Sequence, residues 1–231
     1  MPPTLSTTDV RGQRGYRVAN ALSYFLNPLV LPPVGFGLVQ WHLGAGGLEI
    51  AWTVGVSLVF FCLVPLFYVL GMVRRGRTES LEVRDRTARL RPFLVGIASY
   101  LIGLAVLALT VRTALPLIVS IAALFPLNTL LILLINTRWK ISVHMTTLAG
   151  FVSILLFVAL TVWRDLPSDT EVALTAVSVA PLLLLLPLLM WARVRVSAHT
   201  TAQVVAGAAF GLFVPLIELY VLVYHVLDLA G

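Results

Sequence analysis

The chain has 231 residues, of which 59% are hydrophobic and 11% charged, and its formal net charge is +6. A soluble domain carries about a quarter charged residues, and a chain this short has too little interior to hide so many apolar side chains. These values exclude a soluble enzyme. They predict an all-α fold, a polytopic transmembrane helix bundle whose partners include membrane lipids and no nucleic acid.

Seven apolar stretches follow one another, each close to the length of about 20 residues that a membrane-crossing helix needs. They cover residues 18–41, 50–73, 92–111, 114–136, 145–163, 172–190 and 201–226. Pro32 and Pro33 fall inside the first stretch, where we expect them to kink the helix. We divide the chain into a polar N-terminal tail, 1–17, and a single transmembrane domain, 18–231. About seven spans are expected, a core of six with one extra.

The cationic residues are distributed unequally between the two sides of the membrane that seven crossings define. Fourteen of the sixteen Lys and Arg residues share the side of the N-terminus, and only Arg112 and Arg164 fall on the other. The positive-inside rule then puts the N-terminus and its side in the cytoplasm, and we expect a plasma membrane of bacterial or archaeal type. The fourteen are Arg11, Arg14, Arg17, Arg74, Arg75, Arg77, Arg84, Arg86, Arg89, Arg91, Arg138, Lys140, Arg193 and Arg195.

Two histidines open the fifth and seventh stretches in similar surroundings. The sequence is S-V-H-M-T-T around His144 and S-A-H-T-T around His199, and each follows a short basic segment. The N-terminus of a helix has unpaired backbone N–H groups and a partial positive charge, which attract anions. We therefore expect both histidines beside a phosphate group. The alternative is a chance repetition at two membrane interfaces.

A third cationic segment, R-D-R-T-A-R-L-R-P, runs from Arg84 to Pro92. Arg84 and Arg91 are seven residues apart, so on a helix both side chains would lie on one face. The planar guanidinium group binds phosphate oxygens two at a time. We expect these two arginines to join the same phosphate site. The alternative is that they only set the topology.

Other chemistry is not indicated by the sequence. It has no H-E-x-x-H, no paired C-x-x-C, no Asp-rich box and no G-x-G-x-x-G loop, and Cys62 is its single cysteine. We therefore expect neither a metal ion nor a cofactor. Glu218 lies in the last apolar stretch, seventeen residues beyond Thr201. That is about 25 Å along a helix, which predicts a position near the opposite interface.

The three segments resemble the motifs of the type-2 phosphatidic acid phosphatase superfamily, K-x6-R-P, P-S-G-H and S-R-x5-H-x3-D. This chain has R-x6-R-P from Arg84, I-S-V-H ending at His144, and A-R-x5-H-x3-Q from Ala192 to Gln203. The order and the internal spacing agree in all three. The resemblance covers about residues 84–208.

The resemblance implies a lipid phosphatase that works without a metal ion. His199 would be the nucleophile that forms a phosphohistidine, and His144 would protonate the leaving oxygen. The substrate would be a phosphate monoester or diphosphate of a lipid, either phosphatidate-like or isoprenyl. The residues implied to hold the phosphate are Arg84, Arg91, Ser142 and Arg193.

The chain departs from this pattern where the family's nucleophilic histidine is oriented by an aspartate. Gln203 stands there, one helical turn from His199, and its carbonyl oxygen can accept the Nδ1 proton. An amide cannot stabilise an imidazolium as a carboxylate does. One alternative is thus a catalytically weakened lipid-phosphate-binding or carrier protein of the membrane. Another is a small transporter or structural protein whose arginines only set the topology.

Overall fold

The computed structural model describes residues 14–26, 31–81, 83, 85, 87–161 and 167–226. Within these residues the chain forms eight helices and no β-strand, which confirms the predicted all-α bundle. The helices are α1 (Arg14–Phe25), α2 (Leu31–His42), α3 (Gly47–Arg74), α4 (Leu90–Thr110), α5 (Leu115–Asn136), α6 (Val143–Thr161), α7 (Ser168–Arg195) and α8 (Thr201–Val221). A π-helical segment, Leu58–Leu63, lies inside α3, another, Leu222–Val226, extends α8, and a 3-10 turn, Thr87–Arg89, leads into α4.

Six of the described helices, α3 to α8, are long and apolar enough to cross a membrane. Their most apolar windows have mean hydropathies between 2.0 and 2.5. They correspond to the second through seventh stretches predicted from the sequence. This architecture is compatible with an integral membrane protein.

The first predicted span is not one helix. It is divided between α1 and α2, each of 12 residues, or about 18 Å, which is shorter than the hydrocarbon core of about 30 Å. Pro32 and Pro33 lie in the first turn of α2, where a missing N–H costs no hydrogen bond. They therefore begin a helix rather than kink one. Residues 27–30, between the two helices, lie outside the described part of the chain.

Helix α6 is the centre of the bundle, since 78% of its most apolar window is buried, against 17–39% for the other five candidate spans. It packs most closely on α8. A Cβ atom on Gly211 would lie 2.3 Å from the carbonyl oxygen of Thr146, so only glycine permits this approach. Ser153 Oγ also donates a hydrogen bond to the Gly211 carbonyl at 2.9 Å. These contacts hold the middle of α8 closely against α6.

Glu218, in the last span, contacts a polar residue of α5. Its Oε2 accepts a hydrogen bond of 2.5 Å from Nδ2 of Asn128. Asn128 is near the middle of α5, eight residues before the end of that helix at Asn136. Its position near the opposite interface stays a prediction, and α8 with its π-helical segment continues for eight residues beyond Glu218, to Val226.

Candidate active site

A cavity of about 250 Å³ is lined mainly by α2, α3, α4, α5, α6 and α8, and most of its described lining is apolar. Two arginines and two histidines line it at one end of the bundle: Arg89, His144, Arg193 and His199. They are brought together because α4, α6 and α8 begin at this end and α7 finishes there. The described lining residues include no Asp or Glu. One end of the cavity is therefore cationic.

All four of these side chains are buried. The exposed fraction is 2% for Arg193, 7% for Arg89 and His199, and 8% for His144. Arg89 is fixed at the wall by a 2.8 Å hydrogen bond from its Nε to the carbonyl oxygen of Val83. Guanidinium groups are the side chains that bind phosphate oxygens two at a time, so this end of the cavity suits an anionic ligand.

A tight turn after α7 positions His199. The carbonyl oxygen of Arg193 accepts the backbone N–H groups of Ala198, at 3.2 Å, and of His199, at 3.4 Å. Ser197 completes the turn in the left-handed region, with a φ of 55°. Lys140, from the α5–α6 connection, donates from Nζ to the carbonyl oxygen of Ala198 at 2.8 Å. His199 is thereby held between the end of α7 and the start of α8.

The tautomer of His199 follows from the cap of α8. Thr200 and Gln203 form a capping box in which the Thr200 N–H donates to Gln203 Oε1 at 3.2 Å. Nδ1 of His199 lies 3.1 Å from that same oxygen. The four-residue spacing of His199 and Gln203 in the sequence allowed this contact. Because the backbone N–H can only donate, the shared atom is the amide oxygen, and Nδ1 must donate to it as well. Nε2 then carries the lone pair.

The surroundings of His199 keep its ring neutral. Burial, followed by the positive charges of Lys140, Arg193 and Arg89, lowers the pKa of His199 to about 3, and the hydrogen bond that His199 donates to Gln203 acts in the opposite direction. The imidazole is therefore uncharged at neutral pH. A neutral ring with an unprotonated Nε2 is the form that can attack an electrophile.

Two residues predicted to hold the phosphate are not in this lining. Arg91 is exposed and does not line the cavity, whereas Arg89 does. The assumption of one helix over 84–91 was wrong, because Asp85 is in a bend and α4 begins only at Leu90. Side chains two residues apart on a helix point in very different directions. Arg84 lies outside the described residues.

Ser142 is the second residue that differs from the expectation. It is fully buried, does not line the cavity, and packs with its Cβ against α8, where a Cβ on Gly207 would lie 3.4 Å away. Its backbone N–H donates to the carbonyl oxygen of Gln203 at 3.4 Å. Ser142 therefore joins α6 to α8, and His144 enters the cavity from the first turn of α6.

The sequence analysis missed Arg89 and Lys140 as site residues, counting both only toward topology. Within the R-D-R-T-A-R-L-R-P segment, Pro92 was the one available signal for where α4 begins, since proline favours the first turn of a helix. The other residues of the segment do not distinguish Arg89 from Arg91. Lys140 reaches the site through a backbone carbonyl, a contact that no side-chain pattern indicates.

Within the described residues, no three His, Cys, Asp or Glu side chains are close enough to share a metal ion. Comparisons of the chain with protein-family models, with curated proteins and with solved structures find no match. What the site can do therefore follows from its own geometry and charge.

Proposed function

We propose that the chain is a membrane-embedded phosphatase that hydrolyses a phosphate monoester or diphosphate of a lipid through a phosphohistidine on His199. One observation carries the proposal. A neutral histidine with an unprotonated Nε2 lines the same cavity as two buried guanidinium groups, and the rest of that cavity is apolar enough for a lipid tail. The lipid would be phosphatidate-like or isoprenyl.

Arg89 and Arg193 would bind the phosphoryl group. Charge develops on its equatorial oxygens during transfer, and buried guanidinium groups stabilise that charge most effectively where water is excluded. Each planar fork can bind two oxygens. In this proposal Arg89 takes the part that the sequence motif gave to Arg91.

The reaction would proceed in two steps. Nε2 of His199 attacks phosphorus while the P–O ester bond breaks, and protonated His144 gives its proton to the leaving alkoxide. Water then loses a proton to neutral His144 and attacks the phosphohistidine, so the N–P bond breaks and inorganic phosphate leaves. His199 is restored as the neutral ring and His144 as the acid.

We also propose that this end of the bundle faces the cytoplasm of a plasma membrane of bacterial or archaeal type. The support is the distribution of Lys and Arg in and beside the connections of the six candidate spans, eleven on this side and two on the other, according to the positive-inside rule. A cysteine introduced at exposed Arg138 should be labelled by a membrane-impermeant reagent only after the cells are opened. Labelling of intact cells would reverse the orientation.

Release of inorganic phosphate from lipid phosphates by the purified chain tests the function. His199→Ala should abolish release, because it removes the nucleophile. His225→Ala is the matched control, since His225 is exposed and does not line the cavity. Equal release from the wild type and His199→Ala would remove the assignment.

The second candidate is a protein that binds or carries a lipid phosphate without turnover. The observation that favours it is the neutral amide at Nδ1 of His199, since an amide stabilises an imidazolium less well than a carboxylate. This candidate predicts lipid phosphate binding that depends on Arg89 and Arg193, with no phosphate release.

A further inference from the structure

Tyr100 brings a hydroxyl group into the mostly apolar part of the cavity. It packs in an aromatic cluster whose other rings, those of Phe36, Phe61 and Phe125, carry no polar atom. Its ring centroid lies 5.3 Å from that of Phe61 and 5.9 Å from that of Phe125, so packing fixes the direction of the ring. A Cβ atom on Gly96 would lie 3.6 Å from the hydroxyl oxygen. The hydroxyl is therefore about one helical turn nearer to the cationic end than the Cα atom of Tyr100, because helical side chains lean towards the N-terminus.

Thr129 places a second hydroxyl group at the same depth. Helices α4 and α5 are packed neighbours joined by the short connection of residues 111–114, so they run antiparallel. Tyr100 is level with Phe125, as their ring contact shows. Gly96, one turn earlier in α4, is then level with Thr129, one turn later in α5. Because Tyr100 and Thr129 both line the cavity, two hydroxyl groups from neighbouring helices lie at one level of it.

These two hydroxyl groups are available to a ligand. Within the residues that the structure describes, the side chains of Tyr100 and Thr129 make no hydrogen bond, and neither oxygen is among the buried polar atoms that lack a partner. Both oxygens are therefore accessible. A hydroxyl group in apolar surroundings is costly without a partner, and a tyrosine hydroxyl inside a protein usually has one. A polar atom of a bound ligand can supply it.

We propose that Tyr100 and Thr129 form a second binding subsite, which donates hydrogen bonds to the carbonyl oxygen of an acyl ester on the lipid phosphate. The inference rests on the proposed function for the position of the phosphate beside Arg89. Seven residues separate Arg89 from Gly96, which corresponds to about 10 Å of helix. In a glycerol-based lipid, about six bonds join phosphorus to an ester carbonyl oxygen, an extended length of about 7 Å, and a hydrogen bond adds about 3 Å. An isoprenyl phosphate has no oxygen at that distance, so the subsite favours an acylated lipid.

Binding to the purified full chain tests the subsite without requiring turnover. The probes are dioleoyl phosphatidate and its dioleyl diether, which differ only in the two carbonyl groups. Each is titrated at equal mole fraction in detergent micelles, and its affinity is taken from the shift in denaturation temperature. A hydrogen bond between neutral groups is worth about fivefold in affinity. With two such bonds, the wild type should bind the diester about twentyfold more tightly than the diether.

Tyr100→Phe and Thr129→Val each remove one hydroxyl group and nearly keep the shape of the side chain. Each variant should lower the preference for the diester about fivefold, and the double variant should abolish it, while the affinity for the diether stays unchanged. Tyr220→Phe is the matched control, because Tyr220 is exposed and does not line the cavity. It should keep the preference of the wild type.

The outcomes separate the two proposals. Equal binding of the two lipids by the wild type, or no binding of either, would overturn the subsite. A preference that survives in the double variant would overturn it as well and leave the hydroxyl groups to water, and equal losses of affinity for both lipids would show a purely structural role. A preference that depends on the two hydroxyl groups, without phosphate release from either probe, would leave the subsite standing and remove the phosphatase. Phosphate release from both lipids with equal binding would do the reverse.

Discussion

Replacing Arg89 should greatly reduce phosphate release, whereas the same replacement of Arg91 should leave it nearly unchanged. Arg89 is buried, lines the cavity, and is oriented by its hydrogen bond to Val83, whereas Arg91 is exposed outside it. Removing one preorganised donor to transition-state charge lowers kcat by about 10²–10³, or about 3–4 kcal/mol. Arg89→Ala should therefore lose most phosphate release, and Arg91→Ala should keep it within about twofold, as for a surface residue.

The assay is the initial rate of phosphate release from a lipid phosphate, with thermal denaturation in detergent to confirm that each variant folds. Arg89→Lys should lose about tenfold, because an ammonium group cannot bind two oxygens in the fork geometry. A larger loss from Arg91→Ala than from Arg89→Ala would refute the assignment of Arg89. If Arg89→Lys and Arg89→Ala each kept full activity, Arg89 would only set the topology.

Three further predictions concern the elements that support the site. Gln203→Glu keeps the side-chain length that reaches Nδ1 of His199 and adds a charge that stabilises the imidazolium. Turnover should therefore rise about tenfold or more. Unchanged turnover would show that Gln203 does not limit the reaction. Gly211→Ala should lower the free energy of unfolding, measured in thermal melts, by about 1–3 kcal/mol, because its Cβ would meet the Thr146 carbonyl at 2.3 Å. Gly55→Ala is the control and should melt like the wild type, since nothing lies within 4 Å of that Cβ position. Equal melting of both variants would contradict the close packing of α6 and α8. The pKa of His199 is lowered from 6.5 to about 3, so the folded protein binds fewer protons than the unfolded chain between these pH values and is destabilised as the pH falls through them. His199→Asn should therefore lose less stability between pH 7 and 4 than the wild type in thermal melts. Equal losses of stability in the two proteins would refute the lowered pKa.

The sequence predicted the spanning helices well because lipid imposes one requirement on all of them. A segment that crosses the hydrocarbon core must satisfy its backbone internally and present apolar side chains over about 20 residues, so composition alone locates it. The first stretch was wrong for the same reason. Residues 18–41 are mostly apolar, but hydropathy does not show that α1 ends at Phe25 and that Pro32 and Pro33 belong to the first turn of α2.

The parts of the site that could be predicted are those with a local cause. His144 and His199 were expected at helix starts, and the four-residue spacing of His199 and Gln203 allowed the contact that is present at 3.1 Å. Arg89 and Lys140 could not be found in this way. Their places depend on where α4 begins and on how the connection before α6 crosses the turn after α7, which are tertiary facts.

Trapping the phosphorylated enzyme tests the central claim most directly. The purified chain is mixed with a lipid phosphate labelled in its phosphoryl group, quenched within one turnover, and the labelled residue is identified by peptide mapping under alkaline conditions, which preserve phosphohistidine. The account predicts label on His199 of the wild type and none in His199→Ala. Phosphate release by the wild type with the label on another residue, or with no labelled protein at any quench time, would contradict it.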